Sequence, residues 1–348
     1  MKGRNIAADS EKRTEEIETD KFTWGIMGLG RISELFAEAV NASEDTQFVC
    51  ASRSEEKAAV FAEKYGAVKY YGSYEALAAD ENVNIVYIGT PTSCHCDNVR
   101  LCLESGRNVL CEKSVTINSA QWRELVSLAA EKGLFLMEAM WMKCLPSFLK
   151  AKEWIAQGRI GMPKLVKAEL NKAYIYEEGD RLFKKELGGG VLLDMGVYVL
   201  TLACDILGYE PQEIHSRLSM GPSGSDFTSS IMLDYSDGRF ADLTASFEMP
   251  SENYAYIVGT KGRIRLGPWF HCSRSALLTL NDGSEEYFDG SFICNGYEYE
   301  IAEARNCITS GLTQSRLVPI SETTAVMNIM DEIRRKNGLL YEGVQFED

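Results

Sequence analysis

Positive charge is scarce in this chain of 348 residues: 36 lysines and arginines stand against 51 aspartates and glutamates, a formal net charge of −15. With the basic residues scattered, nucleic acid and anionic membrane are poor partners, and a small-molecule ligand is the better expectation. No apolar run of bilayer-spanning length is evident, so no membrane segment is expected. Residues Met1 to Lys21 are about half charged, with both signs mixed and no apolar h-region, and read as a solvated, mobile extension rather than a secretory signal. Cysteine is not lacking, but paired spacing is. Ten cysteines are spread along the chain, several inside apolar segments (Cys50, Cys102, Cys111, Cys204), which suits a reducing cytoplasm better than a disulfide framework. The one dense cluster, Cys94-His95-Cys96, has no partner pair of the Cys-x-x-Cys kind, so no metal site is expected there. There is no internal repeat or low-complexity stretch, and the length calls for two domains.

What is present begins with an apolar run, Phe22 to Met27, that ends in Gly28-Leu29-Gly30-Arg31-Ile32-Ser33 before a helix expected from Glu34 to Val40. Strand, glycine turn and helix in this order make a dinucleotide-binding pattern. The first glycine makes the tight turn, the second lets backbone approach a pyrophosphate, and the third position needs a small side chain, here Ser33. Further strands are expected at Gln47 to Ala51, Val68 to Tyr70, Ile85 to Gly89, Asn108 to Cys111 and Leu134 to Met137, alternating with helices. That alternation predicts a doubly wound parallel sheet. The second strand ends in Ala51-Ser52-Arg53 where an acidic residue would bind the ribose of NAD, so Ser52 and Arg53 suit the 2′-phosphate of NADP, with NAD possible. The alternative is that Arg53 pairs on the surface with Glu55 or Glu56. Thr90-Pro91 and His95 follow the fourth strand on the ligand-binding side of the sheet; His95 either caps the nicotinamide pocket or satisfies a local backbone group. Glu112-Lys113-Ser114 ends the next strand and points Lys113 toward the same crevice, unless a surface pair with Glu112 occupies it.

Gly188-Gly189-Gly190 opens a helix carrying Asp194 and Tyr198, four residues apart and so on one helical face. The glycines allow another backbone or a cofactor ring to come close. A phenol acting at neutral pH needs a nearby cation to lower its pKa. Around this helix, strands at Lys164 to Asn171, Glu213 to Ser219, Thr228 to Asp234, Arg239 to Phe247, Tyr254 to Gly259 and Arg263 to Leu266 predict an open, largely antiparallel sheet. Helices at Tyr297 to Ser310 and Glu322 to Lys336 close the chain. The expected layout is α/β: a Rossmann domain over 22–142 and an α+β domain over 143–348, whose sheet has one helix-covered face and one face that seeks a partner.

The ordered set Gly25 to Ser33, Gly89-Thr90-Pro91, Cys111-Glu112-Lys113, Glu138-Ala139-Met140-Trp141 and Gly188 to Tyr198 resembles the glucose-fructose oxidoreductase and inositol dehydrogenase superfamily (Gfo/Idh/MocA), from about Phe22 to Tyr341. Tyrosine rather than histidine at 198 is similar to the branch holding dimeric dihydrodiol dehydrogenase and NADP-dependent D-xylose dehydrogenase. The resemblance implies an NADP-dependent dehydrogenase acting on a sugar, cyclic polyol or dihydrodiol hydroxyl, as a homodimer or larger through the second sheet. It implies Lys113 as catalytic lysine, Tyr198 as acid/base, Asp194 as adjacent carboxylate, and Trp141 and Trp269 as aromatic walls of the substrate pocket, although either tryptophan suits a core equally. Lys113 is then the cation that holds the phenol's pKa down. Ser114 departs from the family's proline, which would fix the turn aiming the lysine. The rival class is a cofactor-binding sensor without turnover.

Overall fold

Phe22–Met27 (β1) is buried at every position, as a central strand covered on both faces requires. In the computed structural model the described residues are 17–18 and 20–341, so the charged extension expected over 1–21 lies almost wholly outside them. After β1 come α1 (Arg31–Asn41), β2 (Thr46–Ala51), α2 (Glu55–Tyr65), β3 (Lys69–Tyr71), α3 (Tyr74–Ala78), β4 (Ile85–Ile88), α4 (His95–Glu104), β5 (Asn108–Glu112), α5 (Ser119–Lys132) and β6 (Leu136–Ala139). The six strands pair in parallel in the order β3-β2-β1-β4-β5-β6. The order reverses between β1 and β4, and such a switch point is where an open α/β sheet binds ligand. α1 begins at Arg31, three residues before the expected Glu34.

α6 (Pro146–Ala156) leads to a second sheet. Its strands are β7 (Pro163–Asn171), β8 (Glu213–Met220), β9 (Asp226–Asp234), β10 (Phe240–Ser246), β11 (Ala255–Gly259), β12 (Gly262–Leu266), β13 (Ser275–Leu280) and β14 (Glu285–Asp289), with α7 (Val197–Leu207) between β7 and β8. The order is β14-β13-β12-β11-β7-β10-β9-β8, and only the β7/β10 pair is parallel. Val166, Ala168 and Leu170 of β7 and Ala241, Leu243 and Ala245 of β10 point to the face that α7 covers. On the opposite face Lys167, Asp242 and Met232 stand side by side across three strands, all exposed. β13 and β14 escape the sequence reading because β14 is an edge strand, half polar, with no continuous apolar face.

α8 (Tyr297–Thr309) and α9 (Ile320–Asn337) turn back onto the first sheet's helices: Asn295 donates to the Leu35 carbonyl, Trp122 to Thr324, and the Ser119 amide to Asp331. The segment Lys185–Leu207 passes for a membrane span by length and composition, with mean hydropathy 1.8 in its 18-residue window, yet 83% of that window is buried inside the protein. A helix apolar all round is what a core position between two layers demands.

Candidate active site

Gly28 ends β1 with φ +86°, and a Cβ there would lie 2.6 Å from Thr90 Cγ2, so only glycine fits. Ser33 donates from Oγ to the Gly28 carbonyl at 2.5 Å, and a Cβ on Gly89 would come within 2.4 Å of that hydroxyl. These close approaches seat α1 on the sheet. Gly30 is different, because a Cβ there would meet nothing within 4 Å. It is the N-cap of α1, with no side chain capping the helix. The first N–H groups of α1 therefore remain for a ligand, and the helix dipole favours an anion there.

Gly30 opens onto a cavity of about 710 Å³. Every position expected to contact the cofactor lines it: Gly28 to Ile32, Ser52 and Arg53, Thr90 and Pro91, His95 and Glu112. Lys113 and Asp194 line it as well, as do Ser54, Lys57, Tyr74 and Arg181, which the sequence reading missed. Lys57 had a signal: it stands four residues after Arg53, in the first turn of α2, where its amide donates to the N-cap Ser54. Open space at Gly30, an uncapped helix start, and the cations Arg53 and Lys57 together suit a phosphate-rich dinucleotide. His95 lines the cavity and also makes local backbone contacts. It is buried, with Nε2 2.8 Å from the Thr90 carbonyl oxygen and Nδ1 3.0 Å from that of Ser114, and its single N–H donates to one of the two. Burial pushes its pKa down to about 4.

The glycine triplet is explained by protein atoms rather than by a cofactor ring. A Cβ on Gly188 would meet Ile117 at 2.7 Å, on Gly189 three carbonyl oxygens at 2.6–2.8 Å, and on Gly190 the Asp226 carboxylate at 2.2 Å. Asp226, on β9, accepts from the Leu192 amide at 2.7 Å and so caps the helix from another layer. The first turn, Leu192–Gly196, is π-helical and becomes α7 at Val197; wide turns of this kind recur at functional sites.

Lys113 meets this turn. Its Nζ donates to the Asp194 carbonyl at 2.6 Å and to Asp194 Oδ1 at 3.1 Å, while Ser114 Oγ donates to the Leu193 carbonyl at 2.9 Å. The Lys113–Ser114 peptide is cis. The serine that replaces the family's proline thus makes a tie that proline cannot, and Lys113 is held rather than loosened. Glu112 does not pair with the ammonium: that carboxylate accepts from the Tyr87 hydroxyl at 2.7 Å and from the Lys113 backbone amide at 3.2 Å. Lys113 Nζ also lies 5.1 Å from the centre of the Tyr198 ring. The phenol oxygen accepts from Trp141 Nε1 at 2.9 Å, and Trp141 stacks on Tyr297 with ring centres 4.6 Å apart. Trp141 is buried, whereas Trp269 is exposed and reaches the cluster through His271, 6.1 Å away ring to ring. His271 lies 4.9 Å from the Tyr198 ring and went unnoticed in the sequence, although only three histidines occur in the chain.

The electrostatics correct one expectation. Burial, and next the charge of Glu112, push the Tyr198 phenol well above its ordinary pKa, and Lys113 does not bring it down. The reason is geometric: the ammonium hydrogen-bonds Asp194 and meets the phenol's ring, not its oxygen. Burial also works to raise the Asp194 carboxyl, but the charges of Lys113 and Arg181 outweigh it and leave that group below the usual carboxylate range. Arg181, exposed at the rim, stands 3.8 Å from Asp194 Oδ1.

Residues 22–140 match the oxidoreductase family with an NAD-binding Rossmann fold, and residues 148–265 match the GFO/IDH/MocA C-terminal domain. Trans-1,2-dihydrobenzene-1,2-diol dehydrogenase of Xenopus laevis is 36% identical over 330 residues, covering 91% of this chain and 98% of that protein. The enzyme of that name from Homo sapiens is 32% identical over 330 residues, covering 91% and 97%. Among solved structures, a 3-ketoreductase from Actinomadura kijaniata in complex with NADP and TDP-benzene aligns with TM-score 0.81 at 24% identity, covering 90% of this chain and 97% of that one. An aldose-aldose oxidoreductase from Caulobacter crescentus complexed with glycerol aligns with TM-score 0.82 at 21% identity and the same coverage, 90% and 97%. At these identities the structural likeness is one of fold. Two matching family models, and relatives above 30% identity over nearly the whole described chain, agree with the site just built: the chain belongs to the Gfo/Idh/MocA family and is an NAD(P)-dependent oxidoreductase.

Proposed function

We propose that the protein is an NADP-preferring dehydrogenase that interconverts a hydroxyl and a carbonyl on a dihydrodiol, cyclic polyol or sugar, with Lys113, Asp194 and Tyr198 as its catalytic residues. The observation that carries this reading is the convergence of Lys113, at the end of β5, on Asp194 in the π-turn and on the Tyr198 ring of α7, beside a cavity that Lys113 and Asp194 line together with the open N-terminus of α1. NADP is favoured over NAD because Arg53 and Lys57 both line that cavity and no carboxylate stands at the end of β2. When bound, the nicotinamide accepts a hydride from the carbinol carbon or returns it.

The protein's own groups handle the proton. A phenol with a raised pKa is protonated at neutral pH, so Tyr198 gives its proton to a substrate carbonyl oxygen and takes it back when the alcohol is oxidised. The Trp141 N–H on the phenol oxygen stabilises the phenolate left behind. Asp194 occupies two of the three N–H groups of Lys113, and the third is available to the reacting oxygen. Trp141 and Trp269 supply aromatic surface for the ring of the substrate. Binding a dinucleotide requires none of Lys113, Asp194 and Tyr198, which argues against a sensor without turnover.

A second copy of the chain over the open face of the second sheet is supported by Met232, Phe240 and Tyr287, which are exposed. A reducing, cytoplasmic setting is supported by ten cysteines that are all free.

The test is incubation with NADP and a panel of dihydrodiols, polyols and aldoses, following absorbance of the reduced nicotinamide. Turnover is expected with at least one class. Tyr198→Phe should lose about 10² or more of it while NADP binding is retained. Tight NADP binding with silence across the panel, or near-normal turnover by Tyr198→Phe, overturns the reading.

A further inference from the structure

We propose that His271 is a substrate-recognition residue that hydrogen-bonds a second hydroxyl beside the carbon served by Tyr198, and so selects vicinal diols over simple alcohols. This rests on the reading of Tyr198 as the proton-transfer group.

Four rings define the place. His271 is 4.9 Å from Tyr198, 6.3 Å from Trp141 and 6.1 Å from Trp269, centre to centre, so it belongs to the aromatic cluster around the Tyr198 phenol. It is carried on the short turn Phe270–Cys272 between β12 and β13, directly after Trp269. Trp269 has φ +57°, a left-handed conformation that is unfavourable for a residue with a Cβ. The turn is pinned in that shape by the Phe270 amide on the Asn253 carbonyl at 2.9 Å, and by the Gly267 amide on Ser273 Oγ at 2.9 Å. Strain held by surrounding structure, in an exposed bulky residue beside this cluster, points to a conformation kept for what it presents. What it presents is an indole and an imidazole side by side.

The imidazole has unused hydrogen-bonding capacity. Nδ1 is sealed from solvent and has no partner among the described residues, while the side chain as a whole is only partly buried. Burial, and then the charge of Lys113, push the pKa down to about 3, so the ring is neutral at any working pH and carries one N–H. A buried N–H without an acceptor costs more than a buried lone pair without a donor. The proton therefore belongs on Nε2, on the accessible side of the ring. A neutral donor next to Tyr198 suits a hydroxyl oxygen. It does not suit a carboxylate or phosphate, which a charged group would serve better.

The test is equilibrium binding to the protein–NADP complex, by calorimetry, of trans-cyclohexane-1,2-diol and cyclohexanol, which differ by that one hydroxyl. In the unaltered protein the diol should bind more tightly. His271→Phe keeps an aromatic wall and removes the hydrogen bond; it should weaken the diol about 3- to 10-fold, the size of one neutral hydrogen bond, and leave cyclohexanol and NADP unchanged. His271→Asn should recover part of the loss. Equal effects of His271→Phe on both ligands, no effect on either, or no preference for the diol in the unaltered protein overturns the proposal. Because binding is read without turnover, Tyr198→Phe separates the two readings. It should lower turnover about 10²-fold or more and keep the preference for the diol; if instead it retains near-normal turnover, the assignment of Tyr198 fails while the role of His271 still stands or falls on the binding ratio.

Discussion

Tyr198 is buried, and that burial sets its chemistry. With the phenol's pKa well above the ordinary value, the acid form prevails at neutral pH and the base form grows only as pH rises. Carbonyl reduction needs the acid, alcohol oxidation the base. The expected pH profiles are therefore opposite: oxidation rises with pH through the alkaline range, while reduction is level at neutral pH and falls on the alkaline side, as steady-state rates with NADP and with NADPH will read. Arg53 gives a second prediction at this scale. It is exposed and lines the cavity, so its value is a charge-assisted contact with a 2′-phosphate and not packing. Arg53→Ala should weaken NADP about 10- to 100-fold and change NAD binding little, measured by fluorescence titration. Equal weakening of both would place Arg53 on a part of the dinucleotide that the two share. Arg53 and Lys113 were legible from the sequence because a strand's end reads as the mouth of the crevice. His271 and Arg181 were not, for they lie on irregular connections whose positions no periodicity predicts.

At the scale of elements, the reaction centre depends on how the π-turn is set. The turn's start is crowded from several layers at once: Ile117 beside Gly188, the Arg181, Leu182 and Lys184 carbonyls around Gly189, Asp226 against Gly190. Backbone oxygens cannot move aside as a flexible side chain can. Gly189→Ala is thus expected to destabilise the fold by about 1–3 kcal/mol and to lower turnover beyond what unfolding explains, because Asp194 follows five residues later. Urea unfolding and turnover of the folded fraction measure the two parts; an unchanged unfolding midpoint would contradict the crowding. The sequence showed this segment as glycines opening a helix carrying Asp194 and Tyr198, which the structure retains. It could not show the π-turn, since the Leu192 amide is taken by Asp226, a residue 34 positions away. The missed hairpin β13–β14 is a case of weak pattern: Tyr287 and its neighbours alternate only between exposed and half-buried.

The whole molecule joins two sheets of different construction. In the parallel sheet both faces are covered by helices; in the eight-stranded sheet α7 covers β7 and β10 on one face only, leaving Met232 and Tyr287 exposed on the other. If a second copy covers that face, Tyr287→Glu together with Met232→Glu should shift the protein to monomer in sedimentation velocity while leaving NADP binding intact. A protein that sediments as a monomer before substitution would remove the proposal. What the sequence by itself determined was the local physics: Gly28 where φ is positive, Ser33 where a helix must approach a strand, and the alternation that builds a doubly wound sheet. These follow from a few neighbouring residues. Only the tertiary structure decided where the charge of Lys113 goes, because its partner Asp194 is 81 residues away and the competing Glu112 is turned toward Tyr87. Burial and long-range pairing set the protonation of Tyr198, Asp194 and His271, and neither is a property of any short stretch of chain.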